Sequence, residues 1–289
     1  MKKILFVINP KAGGKSKEEV QILLKDKASS YSFTYSVFET SGNNEDKIHL
    51  LRNINSYKPD IVAPVGGDGT CNLVANVLAD RKEKMGIIPF GSANGMATEL
   101  NIPENIEDAL QILLSGVSKK IDLININGLY CLHLADVGLN AKLIRRFEKE
   151  DIRGLWSYAR HLISELFMIR RYSFEIQADD QFLKRKAIMI SFANASKYGT
   201  GAIINPTGKL NDGFFELCII KPFPWYYFPV IIFKFFKGTL NKSSYVEVIS
   251  CKSAKIKCNK KLRLQFDGEL ISKTREISAR IKPSALNII

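Results

Sequence analysis

Two stretches of this chain carry residue types and spacings suited to gripping phosphate. The first is "NPKAGGKS", Asn9 to Ser16, directly after the apolar run "ILFVI". Backbone N–H groups in glycine turns form anion nests, and a helix starting beyond them adds partial positive charge. A strict P-loop would need glycine where Asn9 stands, so Gly14, Lys15 and Ser16 complete no Walker A pattern. A tight strand-to-helix turn with a solvated Lys15 is the alternative. The second stretch is "VGGDGTCNLVANVL", Val65 to Leu78. Gly66, Gly67 and Gly69 permit close backbone approach and positive φ. An acid among phosphates is repulsive without a cation. Asp68 therefore reads as a Mg²⁺ ligand or as the acceptor of a proton from an attacking hydroxyl. The alternative is a helix cap. A third glycine turn, "PFGSANG", spans Pro89 to Gly95.

These turns need a scaffold that presents them together. "KKILFVI", "SFTYSVFET", "DIVAPV" and "KMGIIPF" read as strands. Between and after them, "SKEEVQILLKDKASS", "NNEDKIHLLRNINSY", "CNLVANVLADRK" and "NIEDALQILLSG" have helical spacing, the first opened by a Ser16/Glu19 capping box. Repeated βα units predict a parallel sheet with helices on both faces and the ligand at the carboxyl ends of the strands. Beyond about Ile121 short alternating segments dominate, among them "YSFEIQA", "KAIMISFANA", "GFFELCIIK" and "KLRLQFDGEL". They predict an antiparallel sandwich or barrel. The exception is "EDIRGLWSYARHLISELFMIRR", a helical stretch. The expected organisation is an α/β domain over 1–122 and a β-rich domain over 123–280, with a tail at about 281–289 that returns to the first.

The net charge of +13 favours an anionic partner, whether nucleic acid, an acidic membrane or a phosphate-rich ligand. The basic residues are spread along the chain and no nucleic-acid motif is present, so nucleic acid is the weakest of the three. Cys71, Cys131, Cys218, Cys251 and Cys258 are scattered without a CxxC pair, which argues for thiols in a reducing cytoplasm. His49, His133 and His161 form no ligand spacing. No apolar run reaches the ~20 residues of a spanning helix.

The ordered series "NPKAGG", "VGGDGT", "PFGSANG", "IDL", "DVGLNA", "INPTGKLNDGFFEL" and "FDGEL" resembles the diacylglycerol kinase catalytic-domain family. That family includes bacterial soluble lipid kinases and sphingosine kinases, and shares GGDGT with NAD kinases and phosphofructokinases. The resemblance implies an NAD kinase-like α/β domain and a β-sandwich domain with ATP between them. It assigns Asn9, Pro10, Lys11, Ala12, Gly13, Thr40, Gly66, Gly67, Asp68, Gly69, Thr70, Ser92 and Asn94 to nucleotide. It makes the Asn9 loop a nucleotide loop in which Lys15 is not a Walker lysine. It implies a structural Mg²⁺ site at Lys209, Asp212 and Phe214, a stretch that by itself reads as a β-turn. It makes Glu269 the general base toward the lipid hydroxyl, with Asp68 as the other catalytic acid. Asp122 and Asp267 are implied as supporting residues.

The chain departs from the family at Gly95. Bacterial diacylglycerol kinases carry Gly-Thr-x-Asn-Asp where Gly91-Ser92-Ala93-Asn94-Gly95 stands here, and sphingosine kinases carry the nearer Gly-Ser-Gly-Asn-Ala. The lost acid keeps sphingoid bases and other lipid alcohols open as substrates. The implied activity is ATP-dependent phosphorylation of a membrane lipid. A kinase of a soluble substrate and a non-catalytic nucleotide- or lipid-binding protein are the alternatives. The implied setting is cytoplasmic, peripheral to the inner face of an anionic membrane, with a homodimer one option. "PWYYFPVIIFKFFKG" suits either interfacial contact or a core helix on the second domain, as does "LWSYARHLISELFMIRR".

Overall fold

The computed structural model describes residues 1–10, 17–43, 45–138, 171–197, 203–266 and 269–289. The predicted helix over 150–171 lies almost wholly outside them, as does Ser16 of the capping box. The chain divides into two units: Met1–Leu123 with Pro283–Ile289, and Ile124–Lys282.

The first unit is built from parallel strands. β1 (Lys2–Ile8) lies between β2 (Phe33–Glu39) and β3 (Ile61–Gly66). Beyond β3 come two short strands, β4 (Lys84–Met85) and β5 (Ile88–Pro89), where the sequence predicts one. β3 is buried along its whole length, as is β1 from Ile4 to Ile8. Such strands read as continuous apolar runs because helices cover both faces of a parallel sheet. The helices are α1 (Lys17–Tyr31), α2 (Asp46–Tyr57), α3 (Asp68–Leu78), α4 (Gly95–Glu99) and α5 (Ile106–Ser115). α5 begins at Asn105, whose side chain accepts from the N–H groups of Glu107 and Asp108 and so caps two orphan donors.

The last residues of the chain complete this sheet. The final strand, β15 (Glu269–Ile288), ends with Asn287 and Ile288 parallel to β4. Asp122 holds this return. It is buried in β6 (Lys119–Ile126), and its Oδ1 accepts from the N–H of Ser284 at 2.7 Å.

The second unit is antiparallel. β8 (Leu134–Gly138), β11 (Met189–Ala193), β12 (Phe215–Ile220) and β13 (Val246–Cys251) form one run of neighbours. β9 (Tyr172–Ala178) and β10 (Gln181–Ala187) form a hairpin against the start of β14 (Ser253–Phe266). β14 pairs with β9 through Ala254–Cys258 and with β8 through Leu264–Phe266, with a register shift between Lys257 and Leu262. A bulge of this kind bends a strand, and here one strand carries the pairing from β9 on to β8. Phe192, Phe215 and Leu217 share a core with Phe174, Ile176 and Ile256. A second apolar layer, with Leu134, Met189 and Ile220, is covered by α6 (Phe228–Phe236) through Ile231 and Phe235. A parallel α/β unit followed by an antiparallel β unit is the architecture that the residues predict.

All five cysteines are buried and unpaired with one another. Burial pushes the Cys251 thiol up to about 12.

Glu247 ties three strands of the second unit together. It accepts three hydrogen bonds of 2.9–3.3 Å from Arg185 and an ion pair at 2.9 Å from Lys221. The Arg185 hydrogen bonds above all hold its carboxyl at about 2, below the ordinary 4.5. The folded state thus favours the carboxylate. Its contribution is complete above the unfolded value and is lost as pH falls through about 2. Glu247→Gln is expected to lower stability at neutral pH by roughly 1 kcal/mol, allowing for the partial exposure of the cluster. Urea unfolding of both proteins across acid pH checks this: the difference is expected to shrink steadily below the ordinary carboxylate range.

Candidate active site

The parallel ladder fixes the first two positions. The N–H of Asn9 donates to Val65 O at 3.2 Å, and that of Thr40 donates to Ile8 O at 2.9 Å. Each continues the β1 pairing one step beyond the strand. Asn9, Thr40 and the turn after β3 therefore share the carboxyl edge of the sheet. Phe90 N donates to Gly66 O at 3.0 Å, which brings the turn after β5 to the same edge.

At this edge two glycine turns touch. A Cβ on Gly91 would lie 2.5 Å from the Cα of Gly67, and one on Gly67 would lie 3.4 Å from the Cα of Gly91. Gly66 is equally confined, because a Cβ there would collide with the Thr70 side chain. Asn94 shapes the second turn from within. Its Oδ1 accepts from Gly91 N and its Nδ2 donates to Gly91 O, both at 2.8 Å. Asn94 adopts the left-handed conformation at φ 49°, which asparagine tolerates better than most residues.

Asp68 locks the two turns together. It is buried, and its carboxylate oxygens accept from Gly95 N at 2.9 Å and Met96 N at 3.0 Å. It is thus a cap, though for α4, and not for α3 where it stands as the first residue. α3 itself begins at Gly67, and no side chain caps it. The first intrahelical bond runs from Cys71 N to Gly67 O. The backbone N–H groups of Asp68, Gly69 and Thr70 precede that bond, at the positive end of the helix dipole. Gly67 and Gly69 are half-exposed, and Ser92 is exposed. The edge therefore offers amide donors beside a buried carboxylate, an arrangement suited to a polyphosphate and its counter-ion.

The remaining sequence-predicted residues belong to the second unit. Glu269 is exposed at the start of β15, paired with Phe266 of β14. Asp212 lies in an exposed turn closed by Gly213 at φ +77°, and its Oδ1 accepts from Phe214 N at 3.1 Å. One carboxylate with backbone carbonyls is an all-oxygen donor set that Mg²⁺ accepts when water completes the shell. Among the described residues no three His, Cys, Asp or Glu side chains cluster as metal ligands, so a cation at this turn would rest on that set. Lys11, Ala12, Gly13 and Asp267 lie outside the described residues.

Two features of the second unit escaped the sequence reading. Glu216 is buried four residues after Asp212, accepting from Asn205 Nδ2 and Ser250 Oγ. Burial is the main reason its carboxyl is raised, and the charge of Asp212 adds to it. Asp136 is the second. It lies in register between Ser191 of β11 and Gln265 of β14, all three fully buried. Its signals in the sequence are an acid within the apolar run "LADVG" and its place at the head of "DVGLNA".

Residues 3–126 match the family model described as the diacylglycerol kinase catalytic domain. Residues 134–289 match the one described as the YegS C-terminal NAD kinase beta sandwich-like domain. A protein of Bacillus subtilis (strain 168) named diacylglycerol kinase is 26% identical over 276 residues, 93% of this chain and 90% of that protein. A protein of Yersinia pestis (strain Pestoides F) named "Probable lipid kinase YegS-like" is 32% identical over 186 residues, 62% of each chain. A crystal structure from Bacillus anthracis str. Sterne, titled as of diacylglycerol kinases, superposes with a TM-score of 0.74 at 20% identity. It covers all of this chain and 96% of its own, and shows the same fold.

Gly91→Ala is expected to force apart the Gly67 and Gly91 backbones and to cost about 1–3 kcal/mol, the usual range for overpacking. The exposed Ser92→Ala next to it is expected to change stability by no more than about 0.5 kcal/mol. Denaturant unfolding of the two variants checks the contrast.

Proposed function

The chain belongs to the diacylglycerol kinase catalytic-domain family of lipid kinases, and on that premise we propose how its own residues carry ATP-dependent phosphorylation of a lipid hydroxyl. The observation that carries the reading is the Gly67–Gly91 contact locked by Asp68 beneath an uncapped helix N-terminus. That edge binds the nucleotide phosphates through the amides of Gly66 to Thr70, with Asn9, Thr40, Ser92 and Asn94 around them. The family resemblance adds Pro10, Lys11, Ala12 and Gly13 as nucleotide contacts.

Asp68 has one lone pair on each oxygen engaged with α4. The remaining lone pairs suit a hydrated cation beside the phosphates. Mg²⁺ supplies neutralisation of charge developing on the transferred phosphoryl group. Glu269 takes the proton of the attacking lipid hydroxyl, a role its exposed position leaves free for substrate. Lys209 O, Asp212 and Phe214 O would hold a separate structural Mg²⁺, which would fix the turn before β12. Asp122 supports the site by holding β15 in the first sheet. The substrate is a membrane lipid with a free hydroxyl, and the lost acid at Gly95 favours no single headgroup. Enzyme and substrate meet at the membrane surface. Among the described residues no helix is long and apolar enough to cross a membrane.

Transfer of label from γ-labelled ATP to diacylglycerol, sphinganine, ceramide, a monoacylglycerol, undecaprenol and NAD tests the reading. Label is expected in an extractable lipid, reduced about 10²–10⁴-fold in Glu269→Ala and Asp68→Ala. Label in NAD alone, or in nothing while ATP still binds, contradicts it. The structural Mg²⁺ has its own readout. Adding Mg²⁺ without nucleotide is expected to raise the melting temperature of the wild type and not of Asp212→Ala.

A further inference from the structure

We propose that the outward face of α6, with the turn that precedes it, is the surface by which this protein docks on an anionic lipid bilayer. The proposal deepens the lipid-kinase reading and rests on it for the reason a bilayer is the partner. α6 reads FPVIIFKFF, apolar on every side except at Lys234. A helix of that kind needs apolar surroundings all round. Among the described residues only one side has them: Phe228, Ile231 and Phe235 are buried. The other side is exposed. Trp225 is 54% exposed, Tyr226 66% and Phe233 60%, with Val230 and Phe236 also exposed. Val230 and Phe233 follow the i, i+3 spacing of one helical face, and Trp225 and Tyr226 stand in the 3-10 turn before it. Contiguous exposed apolar surface of this kind marks an interaction site.

Charge and composition select a bilayer. Between Glu216 and Glu247 the chain has no acidic residue and four lysines: Lys221, Lys234, Lys237 and Lys242. Lys221 is paired with Glu247. Lys237 rests 5.0 Å above the Phe233 ring, so charge and apolar surface occupy the same patch. Trp and Tyr prefer the level of lipid headgroups, and lysine stems lie along apolar surface with their heads in the anionic layer. At nine residues α6 is far short of the ~20 needed to span a bilayer, so it would lie in the plane of the interface.

Trp225 and Trp156 are the only tryptophans, so Trp156→Phe leaves Trp225 as the sole reporter. This protein is mixed with vesicles of phosphatidylcholine and phosphatidylglycerol whose acyl chains carry bromine. Trp225 emission is expected to shift to the blue and be quenched. Lys234→Glu with Lys237→Glu is expected to weaken vesicle binding by about fivefold or more per lysine. Phe233→Ser with Phe236→Ser, checked for native circular dichroism, is expected to reduce it at least tenfold. The same pair is expected to retain phosphorylation of a short-chain monomeric lipid and to lose that of vesicle-embedded lipid.

Trp225 emission unmoved by vesicles, or vesicle binding unchanged in Phe233→Ser with Phe236→Ser, overturns the proposal. So does a lipid-free dimer that these substitutions split while Trp225 stays unquenched, since the patch would then join two copies. Quenching of Trp225 without phosphorylation of any lipid sustains the docking surface and removes the kinase reading.

Discussion

The approach of Gly67 to Gly91 is the constraint on which the proposed phosphate-binding edge depends. The backbones can lie this close only because Gly91 has no Cβ, whereas a Cβ on Gly67 would meet the Gly91 Cα at an ordinary 3.4 Å. The contact joins the turn after β3 to the turn after β5, and Asp68 then reaches across to the start of α4. Once that carboxylate is committed to α4, the N-terminus of α3 has no side-chain cap and keeps its amides for an anion. One acidic residue thus closes one helix end and leaves the other open. Asn94 braces the arrangement from inside its own turn.

Much of this was legible in the sequence. The apolar runs of β1 and β3 and the glycines following them announce a parallel sheet with loops at its carboxyl edge, because strands covered on both faces must be apolar throughout. The change to alternating strands announces the antiparallel unit. What was not legible depends on approach in space. Asp68 could be read as an acid near phosphates or as a cap, yet its acceptance from Gly95 and Met96 spans 27 and 28 residues and leaves no local pattern. Asp136 and Glu216 were missed for the same reason: in a strand buried on both faces, a polar residue looks like an interruption until its cross-strand neighbours are known. The segment from Phe223 to Gly238 reads as core or interface in the sequence, and the structure buries one face of α6 and leaves the other exposed.

The two units solve different problems with the same principle. The first presents backbone amides at the carboxyl edge of its sheet, which needs short connections and glycine. The second frames apolar layers with polar groups tied in pairs and clusters, such as Arg185, Lys221 and Glu247. Buried carboxyl groups such as Glu216 remain only where hydroxyl and amide donors meet them.

Amide hydrogen exchange with and without ATP and Mg²⁺ tests the central claim most directly. Slowed exchange at Asn9, at Gly66 to Thr70 and at Gly91 to Met96, and little change in α2 and α5, is the result the account predicts. Exchange unchanged along this edge while ATP is bound elsewhere on the chain would contradict it.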